Sequence, residues 1–240
     1  MKMKSMSKYF ISFLVYLGLF ISIYAQEVNT EASDSIVVQE KYGLRLGADL
    51  SKIGRSFLET DYMGFEINGD YRLLKRLYLA GELGSEKKTT SNDYLVSTAN
   101  GTYLKFGVDY NMYENWAGME NLIYSGFRFG FSNFNQTLNS FTIYDINSLT
   151  WGQNEFLDNE KFSRLTSGWI ELLLGFKTEV LTNLFMGFNL QIKGRLFETQ
   201  PDNFENIFIP GIGRTYDSGK FGVGFGYNIS YLIPLYKKSR

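Results

Sequence analysis

Fourteen charged side chains lie in stretches of alternating polarity, and all of them share one parity of those stretches. They are Arg45, Asp49, Glu66, Asp70, Glu82, Glu86, Lys105, Asp109, Arg128, Glu171, Lys177, Glu179, Lys193 and Arg195. Paired carboxylates can act as general acid and base, and a file of charges can carry protons or ions. Because the eight acids and six bases nearly balance, and because an unpaired buried charge is costly, we predict a structural ion-pair network. The acid–base site and the ion path remain alternatives.

Histidine and cysteine are both absent from the 240 residues. A serine nucleophile needs an adjacent base to activate it, and zinc in proteins prefers imidazole and thiolate ligands. We therefore predict no catalytic, cofactor-binding or metal site, and expect that the protein is not an enzyme. A histidine-free envelope enzyme is the least favoured alternative.

The charges belong to segments with a period of two, which is the signature of β-strands. Eight such segments occupy residues 42–51, 62–73, 77–87, 102–112, 122–133, 167–180, 184–197 and 220–236. Short connections alternate with long ones, and the predicted long loops are 52–61, 88–101, 134–166 and 198–219. Outer-membrane barrels have this asymmetry between short periplasmic turns and longer extracellular loops.

Apart from Lys87 at the end of the segment 77–87, the opposite parity of the segments carries no charge, and it is mostly apolar. A soluble barrel of the lipocalin kind would turn that apolar face inward, whereas a membrane barrel would turn it toward lipid. Glycines crowd the charged parity, as in FGVGFGYNIS at 221–230, and glycine makes room inside a narrow barrel. Aromatic residues such as Tyr42 and Tyr110 fit interfacial girdles on the apolar face. We predict an all-β fold: an eight-stranded antiparallel up-and-down transmembrane β-barrel, of OmpX or OmpA size.

The N-terminal residues have the pattern of a secretory signal. Three lysines precede an apolar run that ends before Ala25. We predict a cleaved signal peptide at 1–25, a flexible acidic segment at 26–40, and a barrel at 41–238 in the bacterial outer membrane. An uncleaved anchor helix is the alternative. Removal of the signal lowers the formal net charge from −1 to −4, and with no basic run we expect no nucleic-acid partner.

The predicted long loop 134–166 is rich in aromatic side chains. Those considered for interaction are Phe141, Tyr144, Trp151 and Phe156. The alternation in SFTIYDI (140–146) predicts that strands five and six extend beyond the membrane as a hairpin. Exposed aromatics on this projection could bind a protein or a glycan, or they could fold over the barrel mouth as a lid. The other expected partners are outer-membrane lipid and lipopolysaccharide.

Three long stretches of the chain resemble a known family: DYRLLKRLYLAGELGSEKKTT (70–90), GVDYNMYENWAGMENLIYSGFRFGFS (107–132) and PDNFENIFIPGIGRTYDSGKFGVGFGYNISYLIPLYK (201–237). The chain is similar there to an uncharacterised outer-membrane β-barrel family of Bacteroidota, a domain of unknown function. The resemblance implies an outer-membrane location and an eight-stranded barrel, and it implies no substrate, cofactor or site residue. We expect a structural or interaction role, such as envelope integrity, surface contact or partner docking through the long loops. A narrow pore or a small-ligand-binding barrel is the alternative.

Overall fold

The computed structural model describes residues 39–92, 94–115, 119–142, 155–201, 205–215 and 219–239. The predicted signal peptide at 1–25 and nearly all of the acidic segment at 26–40 lie outside these ranges. Gln39 and Glu40, the last residues of that segment, already belong to the first strand, where they pair with Ser239 and Lys238.

The described chain is almost entirely β-structure, with one short helix. The elements are β1 (Gln39–Asp49), α1 (Leu50–Leu58), β2 (Tyr62–Arg72), β3 (Leu77–Asn92), β4 (Leu95–Asn111), β5 (Leu122–Thr142), β6 (Glu155–Leu181), β7 (Leu184–Glu198), β8 (Phe208–Ile209), β9 (Gly213–Arg214) and β10 (Phe221–Ser239). No helix in the described ranges combines the length and the apolar character that a membrane crossing requires.

Eight long antiparallel strands form one sheet that closes on itself as a barrel, in the order β1-β10-β7-β6-β5-β4-β3-β2. The ring closes where β1 pairs with β10, from Gln39 opposite Ser239 to Asp49 opposite Asn228. Closure gives each of these strands a partner on both sides within the ring itself. The predicted all-β class and the eight antiparallel strands are thereby confirmed.

Two of the predicted long loops are largely paired strand, which corrects the prediction for 88–101 and confirms the predicted extension of strands five and six in 134–166. Residues 88–101 continue β3 and β4 up to the pair Asn92 and Leu95, and the 134–166 region continues β5 to Thr142 and begins β6 at Glu155. Threonine and serine recur along the first extension, and β-branched threonine favours extended backbone. The strands β3, β4, β5 and β6 therefore extend farther than the other four strands at this end of the ring.

The remaining two predicted loops carry structure of their own. Residues 50–58 form α1, which begins after Asp49, whose carboxylate accepts the backbone N–H of Ser51 at 2.7 Å. This is an N-cap that satisfies a free helix donor. In the segment 205–215, called the capping segment below, β8 and β9 form a two-stranded sheet. The end of the ring that holds α1 and this segment is called the mouth.

The two faces of the ring differ completely in polarity. Lys105 and Glu171 inside the ring are each 1% exposed, whereas Phe106 and Leu172, their neighbours on the outer face, are 56% and 58% exposed. The apolar face therefore points outward, opposite to the lipocalin-like alternative. Tyr42 was predicted on the outer girdle, and this is wrong: a bulge at Tyr42/Gly43 leaves it buried, stacked on Tyr236 with ring centres 5.3 Å apart.

Candidate functional site

The centre of the ring is organised around Lys105 and Arg128. The Lys105 Nζ lies 2.7 Å from Glu82, 3.2 Å from Glu66 and 3.8 Å from Glu171. Arg128 donates to both carboxylate oxygens of Asp109, at 2.7 and 3.0 Å, and its Nε donates to Glu82 at 3.2 Å. The register explains the contacts, because Glu82 lies opposite Lys105 on β3 and β4. Hydrogen bonds between ionised groups of this kind are the strong ones.

A second cluster lies nearer the short-turn end of the ring. Asp70 accepts from Arg45 Nε at 2.8 Å and from Lys177 Nζ at 2.6 Å. Lys177 also lies 4.0 Å from Asp109, so this cluster joins the central one. The Arg45 guanidinium lies 5.0 Å from the ring centres of both Tyr78 and Phe185. Cation–π contacts thus add to the ion pairs that hold Arg45.

Twelve of the fourteen predicted interior charges are buried: Arg45, Asp49, Glu66, Asp70, Glu82, Glu86, Lys105, Asp109, Arg128, Glu171, Lys177 and Lys193. The other two lie toward the ends of the ring and are partly exposed. Glu179 pairs with Lys41 at 3.4 Å, and Arg195 pairs with Glu198 at 2.8 Å. The structure thus places twelve members in the interior and two at its rims.

Sequence reasoning missed Lys52, which reaches the interior from α1. Its Nζ lies 2.6 Å from Glu86 and 3.9 Å from Glu66. Burial acts to lower the pKa of Lys52, but the carboxylates of Glu86 and Glu66 outweigh it and the pKa is raised, so the ammonium stays charged. Lys52 shares a helix face with Ser56, whose hydroxyl accepts from the Gly64 amide at 2.7 Å. A helix predicted at 50–58 would have placed Lys52 and Ser56 on one face, directed toward the ring.

The capping segment is tied into the same network through Gly211. The Gly211 N–H donates to Glu86 at 2.7 Å, and Lys193 Nζ donates to the Gly211 carbonyl at 2.6 Å. Gly211 has φ +88°, and a Cβ there would come within 2.7 Å of Trp169. Ile209, fully buried, packs with Phe134 and Leu165. The segment therefore covers the interior with both apolar and charged contacts.

Little space remains inside the ring. A void of about 20 Å³ lies between the two charge clusters, lined by residues such as Asp70, Glu82 and Arg128, and such a volume holds about one water. A larger cavity of about 610 Å³ opens at the mouth, beside Lys52, Lys193 and the capping segment. Charges that are paired and packed to this degree can hold a structure together.

Among the residues in the described ranges, no group of three or more His, Cys, Asp or Glu is placed to hold a metal ion. Six of the seven buried carboxylates in the described interior lie within 4.0 Å of a lysine or arginine, namely Glu66, Asp70, Glu82, Glu86, Asp109 and Glu171. The seventh, Asp49, accepts from Ser51.

The predicted interaction aromatics are only partly placed. Tyr144 and Trp151 lie outside the described residues. Phe141 and Phe156 face each other across β5 and β6, and their rings stack at 5.4 Å and 20°. The described parts of 134–166 therefore form two paired strands that project from the ring. The elements at the mouth are α1 and the capping segment.

One family model, a domain of unknown function designated DUF6048, matches residues 6–238. No curated protein matches the chain.

Proposed function

This chain belongs to the DUF6048 family, and we propose that it is an outer-membrane β-barrel protein with a closed interior. The proposal includes export by the signal at 1–25, an origin in the Bacteroidota, and a non-enzymatic role in envelope integrity or surface contact. The short-turn end and both chain ends would lie in the periplasm, and the mouth would lie outside the cell.

The observation that carries this proposal is an apolar surface with members on all eight strands of the ring, called the apolar belt. It contains Leu46, Phe65, Ile67, Leu79, Leu83, Leu104, Phe106, Val108, Ile123, Phe129, Phe131, Leu172, Leu174, Phe176, Leu190, Ile192, Phe225, Tyr231 and Ile233, each at least 38% exposed. Monomeric proteins in water rarely expose apolar patches larger than a few hundred Å². A lipid bilayer is the solvent in which such a surface is favourable.

The height of the belt also fits a bilayer. On β5 it runs from Ile123 to Phe131, and on β7 from Met186 to Leu196. These spans of eight and ten steps at about 3.4 Å cover about 27 and 34 Å of strand. With a strand tilt of about 40°, they rise about 20 to 26 Å, close to the apolar band of outer-membrane barrels.

The packed interior favours a structural or interaction role over a pore. Ion pairs occupy the middle of the ring, and the capping segment lies at the mouth, where the Gly211 N–H donates to Glu86. A small-ligand site is the second candidate, because the cavity of about 610 Å³ at the mouth is large enough to hold a small molecule.

Spin labelling tests the proposed orientation, and the natural absence of cysteine makes single-cysteine variants clean. Labels at Leu172→Cys and Phe106→Cys, in protein reconstituted into vesicles, should collide with oxygen and be shielded from a water-soluble nickel complex. A label at Thr89→Cys, above the belt, should show the reverse. Equal access of the nickel complex to all three sites would refute the membrane assignment.

A further inference from the structure

The outer wall formed by β3, β4 and β5 changes polarity in rows. One row of cross-strand partners is apolar: Leu83, Leu104 and Phe131. The next row toward the mouth is small and polar: Ser85, Thr102 and Asn133. The upper edge of the apolar belt is therefore sharp on this wall.

Two further rows extend this gradient onto the projecting strands. Lys87, Asn100 and Asn135 form the third row, and Thr89, Thr98, Thr137 and Lys161 form the fourth. Hydrogen bonds order the fourth row: the hydroxyls of Thr89 and Thr98 lie 3.0 Å apart, and Thr98 donates to Asn139 at 2.9 Å. The wall thus ends in an ordered polar surface with two lysines.

The gradient coincides with two adjoining depressions in the wall. The lower one, about 410 Å³, is lined by Phe65, Ile67, Leu83, Leu104 and Phe131, with Ser85, Thr102 and Asn133 at its edge. The upper one, about 330 Å³, is lined by Lys87, Lys161 and six threonines and asparagines. An apolar groove therefore leads directly into a basic, hydrogen-bonding one.

Among the residues that the structure describes, neither lysine of the upper depression has an acidic partner, whereas the neighbouring Lys88 has two. Lys88, the residue next to Lys87, pairs with Glu59 at 3.1 Å and with Asp61 at 2.8 Å. Lys87 and Lys161 form no ion pair with a side chain in the described ranges, and no described Asp or Glu lines the depression. The upper depression therefore has positive charge available to an anion.

We propose that this wall binds an anionic membrane lipid, with an acyl chain in the lower groove and a phosphorylated headgroup between Lys87 and Lys161. Lys87 lies four residues after Leu83, about 14 Å farther along the strand, which matches the distance from an acyl chain to its headgroup. The lower groove is continuous with the apolar belt, which favours a lipid over a soluble anion, because a soluble anion has no apolar part to bury there. The inference rests on the proposed membrane location, because the groove must face hydrocarbon.

Photo-crosslinking tests the assignment in nanodiscs of phosphatidylcholine doped with phosphatidylglycerol that carries a photoreactive acyl chain. Crosslinks should concentrate on peptides of β3, β4 and β5. Each lysine near a phosphate strengthens binding about fivefold, so the Lys87→Gln, Lys161→Gln double variant should reduce crosslinking there about 25-fold. The double variant Lys75→Gln, Lys220→Gln removes the same charge elsewhere and should leave crosslinking unchanged.

Three outcomes separate the possibilities. If crosslinks spread evenly around the belt, or if the Lys87 and Lys161 variant crosslinks as strongly as the wild type, the lipid site is refuted while the membrane location stands. If photoreactive phosphatidylcholine labels these strands as well as phosphatidylglycerol does, the headgroup assignment is wrong. If the wild-type protein does not enter the nanodisc at all, the proposed function itself fails.

Discussion

Lys105 is the interior cation on which the most ion pairs converge, since three carboxylates lie within 4.0 Å of its Nζ. Its partners come from β2, β3 and β6, so one ammonium group links three strands across the ring. Removing this ammonium group would destabilise the fold mainly because several buried carboxylates would lose their counter-charge.

We expect Lys105→Met to destabilise the fold by about 3 to 5 kcal/mol, because methionine keeps most of the side-chain volume and removes the charge. Lys75→Met is the matched control: Lys75 is 48% exposed and lies 3.8 Å from Glu114, so its loss should cost about 1 kcal/mol or less. Urea unfolding in detergent micelles measures both. Equal effects of the two substitutions would mean that the interior pairs do not stabilise the ring.

Glu59, which follows α1, is a titratable residue outside the strands, and its protonation can be followed through the mobility of the helix. Its side chain accepts from Arg55 Nε at 2.9 Å and from Lys88 at 3.1 Å. The Arg55 hydrogen bond, with that of Lys88, lowers the pKa of Glu59 to about 2. A lowered folded-state pKa means that the stabilisation is complete above the unfolded value of about 4.3 and is lost as the pH falls toward 2.

We therefore expect the anchoring of α1 to loosen only in strong acid. A spin label at Phe57→Cys, a helix position that is 86% exposed, should gain mobility between about pH 4 and pH 2. The same label in a Glu59→Gln background should already be mobile at neutral pH and should respond little to acid. A mobility change centred near pH 6 would point to a different group.

The capping segment owes its conformation to two glycines with different surroundings. Gly211 has φ +88°, and a Cβ added to it would lie within 2.9 Å of both Trp169 and Tyr103, whereas Gly213 has φ +109° and its Cβ would meet nothing within 4 Å. Gly213→Ala should therefore carry only the backbone cost, about 1 kcal/mol. Gly211→Ala should add a clash with the two rings and displace the Gly211 N–H from Glu86.

Limited proteolysis of the capping segment distinguishes the two substitutions. We expect Gly211→Ala to speed cleavage within residues 205–215 much more than Gly213→Ala does. Comparable cleavage rates would show that the contacts with Trp169 and Glu86 do not hold the segment in place.

The long strands could be predicted from the sequence because a period of two depends only on which side each residue faces. Parity alone put Arg128 and Glu171 on the charged face, and they lie opposite each other on β5 and β6. The short elements α1, β8 and β9 were not predicted in this way. α1 has nine residues and none of them is fully buried, and β8 and β9 have two residues each. A helical pattern at 50–58 could have indicated α1, but the partners of Lys52 and Gly211 inside the ring are tertiary contacts with Glu86 and Lys193 that lie far along the chain.

At the scale of the whole molecule, the arrangement inverts that of a water-soluble protein: the polar side chains form the core and the apolar ones form the surface. Interior side chains as large as Trp169, Phe185 and Lys105 are at most 1% exposed. Glycine makes room for the largest of them, because Gly130 lies opposite Trp169 and against its indole. Packing and charge neutralisation together leave about 20 Å³ of free volume between the charge clusters.

A protein with this interior should not conduct ions. Moving an ion through the ring would require it to displace paired charges such as Arg128 and Asp109, whose hydrogen bonds are 2.7 and 3.0 Å long, and breaking a buried pair costs several kcal/mol. We expect the wild-type protein to give no steady conductance in a planar bilayer. The double substitution Glu82→Ala with Lys105→Ala removes one acid and one base together and widens the centre, so it should conduct measurably if it folds, which resistance to protease confirms. A steady open channel in the wild-type protein would contradict the closed interior and favour the pore.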